Sequence, residues 1–316
     1  MKKIAITGAN GFIGKSLCKT FSKLNRPFVR IVRSENSLKT LNGINTIFVG
    51  DINSNTNWSE SLEDCEVIIH CAGKAHVMDN KDNLYDYYKV NTEGTKNLAE
   101  QATQAGVKRL VFLSSIKVNG ENTDKINIGK KFYYKDMPDP QDVYARSKLE
   151  AEKALWEISS RTGLEVVVVR LPLVYGYGAK GNLSRLIKLI KLGIPLPLSI
   201  IKNKRSMIGI DNLINLLIRC IDHPKANGKT FLASDGEDLS TPRLIKLIGS
   251  SMGQKAYLFP VPLFLLKILG SIFGKQKEII RLTESLRIDN NYVKEILDWR
   301  PPLSIEESIR KMIQDK

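Results

Sequence analysis

A tyrosine and a lysine four residues apart, Tyr144 and Lys148, open the helix-like run YARSKLEAEKALWEI. Side chains at positions i and i+4 lie on one face of a helix, so the phenol and the ammonium would be neighbours. A cation beside a phenol favours the phenolate and lowers a pKa that is ordinarily about 10. The pair could therefore exchange a proton with a substrate. The same two residues also occur by chance on surface helices, so the interpretation needs support from the rest of the chain.

Three glycines, Gly8, Gly11 and Gly14, follow the first apolar run in the segment TGANGFIGKSL. An early glycine permits a tight turn out of a strand, a middle one lets a pyrophosphate approach the backbone, and a late one lets the helix pack closely on the sheet. The amide groups that begin the helix would face an anion. Because the glycines lie between a strand-like and a helix-like segment, they predict a dinucleotide site.

The second apolar run, FVRIVRS, ends in Arg33 and Ser34 where NAD-binding proteins of this type carry an acidic residue. Arg33 offers hydrogen-bond donors, which suit a ribose 2′-phosphate. The sequence therefore favours NADP(H) as the cofactor, with NAD(H) as the alternative if Arg33 is merely exposed.

Short apolar runs rich in Val and Ile alternate with helix-like segments over the first half of the chain. Nearly continuous hydrophobicity is typical of parallel strands that are buried on both faces. Alternation of strand and helix predicts an α/β fold with a doubly wound parallel sheet, the Rossmann architecture. The predicted strands cover residues 3–9, 28–33, 46–51, 66–73, 109–115 and 165–172.

The alternation stops after about residue 176, where Pro-rich turns and further helices follow. We therefore predict a dinucleotide-binding domain over 1–175 and a smaller substrate-binding domain over 176–316, with some chain exchange back to the sheet. The polar connection 120–142 is long enough to form a lid or wall over a site. The apolar stretch 257–274 contains two prolines and a lysine, and we interpret it as a buried or interface helix, with a membrane-surface patch as the alternative.

The 316 residues carry a formal net charge of +15, which attracts polyanions. The basic residues are spread along the chain without a basic, aromatic-rich groove, so we expect a solvated surface and no nucleic-acid partner. The four cysteines and three histidines lack metal-ligand spacing, so no metal is expected. Without a signal-like segment or an uncharged apolar run of spanning length, we expect a cytoplasmic protein with no membrane span.

Several motifs occur together and in order, and they resemble those of the extended short-chain dehydrogenases/reductases, in particular the nucleotide-sugar epimerase/dehydratase group. The segments SSIKVNGE, RLPLVYG and KNKRSMIGIDNL look most like a subgroup that is labelled UDP-glucose 4-epimerase-like. This subgroup includes reductases of UDP-4-keto-6-deoxy-N-acetylhexosamines. The motifs that carry the family resemblance are TGANGFIG, Gly50–Asp51, Ala72–Gly73, Asn91, the LSS of 113–115 and YARSK.

The resemblance implies roles for many residues. Tyr144 would be the catalytic acid/base, and Lys148 would assist it and hold the nicotinamide ribose. Ser115 would bind the same substrate oxygen as Tyr144, with Ser114 as the alternative residue for this role. Cofactor contacts are implied for Gly8, Gly11, Phe12, Ile13, Gly14, Arg33, Asp51, Ile52, Ala72, Gly73, Lys74, Asn91, Tyr144, Lys148 and Leu171. Substrate contacts are implied for Ser115, Asn182, Leu196, Leu198, Arg205 and Arg287, with Arg281 as an alternative to Arg287.

Departures from the family pattern narrow the reaction. A 4,6-dehydratase needs an acidic pair after the serine or threonine, and here those positions hold Ile116 and Lys117. Classical 4-epimerases usually carry an Asn where this chain has Leu173 and an acid where it has Arg33. The best reading is therefore reduction of a UDP-4-keto-6-deoxy sugar for surface-polysaccharide precursors, with UDP-glucose or UDP-N-acetylglucosamine 4-epimerisation as the alternative. A non-catalytic dinucleotide sensor is a distant third. Relatives often dimerise through helices equivalent to 92–105 and 144–160, so the resemblance also implies a homodimer.

Overall fold

A computed structural model describes residues 3–34, 45–74, 84–124, 129–179 and 181–314 of the protein. Its strands are β1 (Ile4–Thr7), β2 (Phe28–Val32), β3 (Thr46–Phe48), β4 (Val67–His70), β5 (Arg109–Ser115), β6 (Glu165–Leu171), β7 (Leu173–Tyr175), β8 (Arg205–Gly209), β9 (Lys229–Leu232) and β10 (Asp238–Leu239). Its α-helices are α1 (Phe12–Lys23), α2 (Ser59–Leu62), α3 (Leu84–Tyr87), α4 (Gly94–Gln104), α5 (Val143–Thr162), α6 (Asn182–Lys191), α7 (Ile210–Asp222), α8 (Thr241–Ser251), α9 (Leu263–Ile272), α10 (Gln276–Thr283), α11 (Asn291–Leu297) and α12 (Ile305–Gln314).

The main sheet of the described chain has seven parallel strands in the order β3-β2-β1-β4-β5-β6-β9. The chain leaves β1 in one direction to form β2 and β3, and then returns to place β4 on the other side of β1. The strand order thus reverses between β1 and β4, which is where open α/β sheets form a ligand crevice at the carboxyl ends of their strands. The predicted doubly wound parallel fold is confirmed.

Both faces of the sheet are covered by helices, as the continuous apolar strands require. Val67, Ile69, Val167 and Val169 face a core with α1, α7 and α11. The alternate residues of the same strands face a second core with α4 and α5. All six predicted strands are present, and five of them end one to three residues before the predicted boundary.

The seventh strand, β9, was not predicted. It comes from beyond residue 176 and pairs with β6 over Val167–Arg170. Its sequence, KTFL, is too short to give a clear period, and only the exposed hydrogen-bonding edge of β6 selects it. The C-terminal segments therefore contribute to the main sheet, and the domain division at residue 175 stays a prediction.

The C-terminal segments form their own core around α6, α8 and α12, next to a small sheet in the order β10-β8-β7. The connection 120–142 is anchored to this part of the chain where it is described. The amide of Phe132 donates to the carbonyl of Arg287 at 2.8 Å, and the amide of Asp289 donates to the carbonyl of Phe132 at 2.9 Å. Phe132 itself is buried, so this part of the connection is fixed to the C-terminal segments, and the lid or wall over a site stays a prediction. Residues 125–128 lie outside the described chain.

The stretch 257–274 is not a buried helix, and the interface helix of the same interpretation stays a prediction. Its helix α9 is exposed over most of its surface, and of its residues only Leu266 and Gly270 are buried. The expectation of a buried helix was wrong, because hydrophobicity alone does not tell whether a partner covers a segment.

Candidate active site

The glycine turn after β1 packs against the end of β4 too closely for side chains. Gly8 has a φ of +62°, and a Cβ there would lie 2.8 Å from the amide nitrogen of Ala72. A Cβ on Gly14 would collide with the carbonyl oxygen of Gly8. Gly11 precedes the first helical residue, and the first turn of α1 contains no acidic residue, so its amide end is free to face an anion.

A cleft of about 500 Å³ opens beside this turn, at the reversal of strand order. Its volume and its glycine cradle fit a bound dinucleotide. Eight predicted cofactor residues line it: Gly8, Gly11, Arg33, Asp51, Ile52, Ala72, Gly73 and Lys74. The sequence analysis missed several lining residues, among them Thr7, Asn10, Asp86, Lys89 and Val90. Asp86 lies in α3, and Lys89 and Val90 lie in the turn after it. None of the three carries a motif, so only the fold brings them to the cleft.

Arg33 lies at the rim of the cleft directly after β2. Its guanidinium Nε is 3.9 Å from Asp51 Oδ1, and both side chains are largely exposed. An exposed ion pair of this length contributes little to stability, so the Arg33 side chain is available to a ligand.

The other predicted cofactor residues lie behind the cleft or beside it. Asn91 is buried, and its Oδ1 accepts from the amide of Lys74 at 2.8 Å while its Nδ2 donates to Ser147 Oγ at 3.0 Å. It therefore ties the end of β4 to α5. Phe12, Ile13 and Gly14 belong to the first turn of α1, and Leu171 is buried at the end of β6. Their contacts with a cofactor stay predictions.

The three predicted catalytic residues lie together at the carboxyl end of β5. Ser115 is the last residue of β5, and its hydroxyl hydrogen-bonds the phenol of Tyr144. Tyr144 lies in the first turn of α5, half-buried, with the ring of Tyr87 edge-on at a centroid distance of 6.3 Å. Lys148 lies one turn further along α5, with its ammonium 3.2 Å from the position of a Cβ on Gly73. The centre thus adjoins the cleft wall.

Burial raises the pKa of Tyr144 to about 12, although the hydrogen bond from Ser115 opposes the rise. The carboxylate of Asp142 and the phenol of Tyr87 raise this pKa further. The expectation that Lys148 lowers the pKa of the Tyr144 phenol toward neutrality is wrong for the protein without a bound cofactor. Burial of the phenol, which spacing in a sequence does not reveal, is the largest cause of the raised pKa.

Burial also lowers the pKa of Lys148, from 10.5 to about 8, while the carboxylate of Glu152 partly opposes this. The ammonium donates to the carbonyl oxygen of Leu113 at 2.9 Å and lies 4.5 Å from the centroid of the Phe112 ring. Buried His70 lies nearby, and burial together with the Lys148 charge lowers the pKa of its imidazole to about 3. The neutral imidazole bridges Thr7 and Thr95 and holds β1, β4 and α4 together.

The two serines at the end of β5 point to opposite sides, because side chains alternate along a strand. Ser114 Oγ donates to Glu152 Oε1 at 2.5 Å, inside the protein. Glu152 also accepts two hydrogen bonds from Arg170 on β6, at 3.0 and 2.6 Å. Ser114 is therefore part of a buried network that fixes α5 to the sheet, and Ser115 is the serine that faces the site.

The predicted substrate residues occupy the side of the C-terminal segments. Asn182 is the first residue of α6, and Arg205 is the first residue of β8. Burial and the positive charge of Arg281 lower the pKa of Arg205, so the two guanidinium groups are close. Such a pair of cations suits a diphosphate.

Other predicted substrate residues are held within the protein. The guanidinium of Arg287 donates to Asp238 Oδ2 at 2.8 Å and to the carbonyl of Gly129 at 2.8 Å. Arg281 is thus the better-placed partner of Arg205. Leu196 and Leu198 are buried in the C-terminal core, and their contact with a substrate stays a prediction.

A doubly wound sheet with a glycine cradle and a Ser–Tyr–Lys centre beside it defines the extended short-chain dehydrogenase/reductase class, and the protein is an enzyme of this type. It belongs to the NAD dependent epimerase/dehydratase family, which it matches over residues 4–233. The resemblance predicted from the motifs is confirmed.

A curated relative, the UDP-glucose 4-epimerase of Vibrio cholerae, is 41% identical over 99% of this chain and 95% of its own length. Two solved structures share the fold at low identity. MoeE5 in complex with UDP-glucuronic acid and NAD has a TM-score of 0.79 at 21% identity, covering 99% of this chain and 98% of that one. The UDP-glucuronic acid 4-epimerase of Bacillus cereus in complex with NAD has a TM-score of 0.77 at 19% identity, covering 98% and 97%. The protein is thus a nucleotide-sugar epimerase/dehydratase-type enzyme.

The adjacent serines provide a matched test of the site. Ser115→Ala removes the hydroxyl that bonds the phenol and should lower kcat about 100-fold, with little change in the free energy of unfolding. Ser114→Ala leaves a buried Glu152 oxygen short of a donor and should lower the free energy of unfolding by about 1–3 kcal/mol, with kcat nearly unchanged. Urea unfolding and steady-state kinetics on both variants check this, and the reverse pattern would show that the roles of the two serines are exchanged.

Lys148→Met should remove activity and yet make the protein more stable at pH 7. A pKa that falls from 10.5 to about 8 means that folding disfavours the ammonium, by about 1–3 kcal/mol below pH 8. Between pH 8 and 10.5 the unfolded chain binds more protons, so the unchanged protein gains stability as the pH rises and the difference should shrink. Urea unfolding at pH 7 and pH 10 measures it. The exposed Lys153→Met is the control, and an equal or larger advantage of Lys148→Met at pH 10 would contradict the assignment.

Proposed function

We propose that the protein transfers hydride at C4 of a UDP-linked hexose or N-acetylhexosamine, with Tyr144 exchanging the proton of the C4 oxygen. The observation that carries this proposal is the Ser115–Tyr144–Lys148 centre beside the glycine cradle. The UDP-glucuronic acid and NAD named for MoeE5, and the UDP-glucose in the name of the Vibrio cholerae relative, support the substrate and cofactor class.

A bound nicotinamide dinucleotide would supply or accept the hydride. Gly8 and Gly11 would hold its pyrophosphate against the amide end of α1, and Lys148 would hold its nicotinamide ribose. Ser115 would bind the C4 oxygen of the sugar together with Tyr144. Arg205 and Arg281 would hold the UDP diphosphate, which fixes the sugar with respect to the phenol.

Reduction of a UDP-4-keto-6-deoxy sugar is the reaction we favour. The phenol of Tyr144 has its pKa raised to about 12, so it is protonated at neutral pH. A protonated phenol can give its proton to the alkoxide that forms when a ketone receives hydride. Arg33 at the end of β2 supports NADPH as the donor, because its exposed guanidinium can pair with a 2′-phosphate.

Elimination across C5 and C6 has less support. The positions after Ser115 hold Ile116 and Lys117, and Lys117 is paired at 2.6 Å with both Glu121 and Asp142. The carboxylates near the site therefore already neutralise a cation. They are not arranged as the acidic pair that a dehydratase uses.

Epimerisation at C4 is the second candidate, and the 41% identical relative named UDP-glucose 4-epimerase favours it. The same three side chains would serve, but Tyr144 would first act as a base. That role needs a lowered phenol pKa, which the charge of an oxidised nicotinamide could supply. With either reaction we propose a cytoplasmic homodimer that acts in the supply of surface-polysaccharide precursors.

A turnover assay separates the two reactions. The purified protein receives a UDP-4-keto-6-deoxy-N-acetylhexosamine with NADPH, and separately UDP-glucose or UDP-N-acetylglucosamine with no added cofactor. We expect NADPH oxidation in the first assay. Interconversion of the hexoses without NADPH oxidation would establish the epimerase instead.

Tyr144→Phe should lower kcat in the productive assay by roughly 100- to 10,000-fold. Tyr292→Phe, which keeps a ring stacked on Tyr134, is the control and should keep its activity. Full activity of Tyr144→Phe would refute the proposed centre.

Arg33→Ala tests the cofactor preference. We expect it to weaken NADPH binding by about tenfold to 100-fold and to leave NADH binding nearly unchanged, because only NADPH carries the 2′-phosphate. Fluorescence titration of both cofactors measures this, with Arg161→Ala at the far end of α5 as the control. Equal losses for the two cofactors, or none, would contradict a role for Arg33 in choosing NADP(H).

A further inference from the structure

Helix α9 contacts the rest of the protein along one narrow line. Leu266 enters the C-terminal core, and Gly270 approaches so closely that a Cβ on it would lie 2.7 Å from Ile279 on α10. The rest of α9 is exposed, and its large apolar side chains include Phe264, exposed to 62%, and Ile272, exposed to 71%. The helix thus presents an apolar surface where surface helices usually present polar residues.

A second segment extends this surface. The amide of Leu196 donates to the carbonyl of Tyr257 at 2.9 Å, and the amide of Ser199 donates to the carbonyl of Phe259 at 3.2 Å. These bonds bring the exposed side chains that follow α6 next to those that precede α9. We call the result the α9 face, and its exposed apolar residues are Leu192, Ile194, Ile200, Tyr257, Phe259, Leu263, Phe264, Leu265, Ile268, Leu269, Ile272 and Phe273.

The charge around the α9 face is mostly positive, although Glu278 pairs with Lys275 at its end. No Asp or Glu occurs in residues 166–210 or 239–277, which contain fourteen lysines and arginines. Exposed lysines directly adjoin the apolar residues: Lys191, Lys202, Lys255, Lys267, Lys275 and Lys277. An exposed apolar surface of this extent indicates a binding site for a partner, and the surrounding cations indicate that this partner is anionic.

We propose that the α9 face docks on the surface of a bilayer that contains anionic lipids. Helices that lie in the membrane interface combine large apolar residues with lysines that reach the headgroups, as Lys267 and its neighbours can. No helix of the described chain is long and apolar enough to span a bilayer, so the contact is peripheral. A second copy of the same cationic face fits less well, because its charges would repel the first.

Docking would also bring the substrate side of the enzyme to the membrane. Helix α10 follows α9 directly and packs against it through Ile279, and it carries Arg281, whose charge acts on Arg205. The arginine pair therefore lies within about two helical turns of the docked helix. The inference does not rest on the proposed reaction, since it uses only the exposed surface and its charge.

Vesicle flotation with the full chain tests the proposal. The vesicles are phosphatidylcholine alone or phosphatidylcholine with about one third phosphatidylglycerol, a typical anionic surface. We expect the unchanged protein to float with the anionic vesicles only, and to be released at high salt. Phe264→Glu should reduce the bound fraction about tenfold, because it puts a carboxylate into the apolar face.

Leu24→Glu is the matched control, because Leu24 is exposed to 52% at the end of α1, outside the C-terminal core, and the substitution adds the same charge. It should float like the unchanged protein. Circular dichroism shows that each variant is folded, and turnover of a soluble UDP-sugar without vesicles tests the proposed reaction separately. The proposal is overturned if the unchanged protein does not float at low salt or if the two variants behave alike. It is also overturned if sedimentation shows a dimer that Phe264→Glu dissolves while no vesicle binding occurs.

Discussion

The ion pair between Glu152 on α5 and Arg170 on β6 fixes the position of α5 on the sheet, and the whole site depends on that position. Both side chains are buried, and Glu152 also accepts from Ser114 on β5, while Arg170 donates to Asn119 at 2.9 Å. The network ties α5 to two strands two turns after Tyr144. A buried pair is not by itself a source of stability, since desolvation offsets the attraction, but losing either partner is strongly unfavourable. The helix can therefore hardly shift without a large cost in free energy, and Tyr144 stays opposite Ser115.

Lys148 shows what this rigidity allows. A buried ammonium next to the cleft costs the fold free energy at neutral pH, and the carbonyl of Leu113, the carboxylate of Glu152 and the ring of Phe112 offset part of this cost. The same network that holds α5 also supplies this carboxylate. A costly group that is kept in place by its surroundings is typical of sites built for function rather than for stability.

Much of this arrangement was predictable from local patterns. Val- and Ile-rich runs indicated buried parallel strands, the glycine spacing indicated the cradle, and the run YARSK indicated the helix that carries Tyr144 and Lys148. The features that the sequence did not predict depend on burial and on long-range packing. The pKa of Tyr144 rises because of desolvation, and β9 forms because β6 has an open edge. Ser115 rather than Ser114 faces the site because the Ser114 face of β5 packs against Glu152. Which face of a strand packs against a helix is decided by the fold and not by the local sequence.

The net charge of +15 has a different meaning in the structure than in the composition. Lysines and arginines are spread along the sequence, which suggested a uniformly solvated surface. The asymmetry lies in the carboxylates, which are missing from 166–210 and 239–277, the two segments that pack together around α6, α8 and α9. Carboxylates from the flanking segments neutralise only part of this charge, since Glu278 pairs with Lys275, and Glu237 and Glu306 pair with Arg243. The field of the other cations extends about one Debye length, or ~8 Å at physiological salt, into the solvent. That field surrounds the exposed apolar residues of α9, so attraction at a distance and burial on contact act on the same face of the protein.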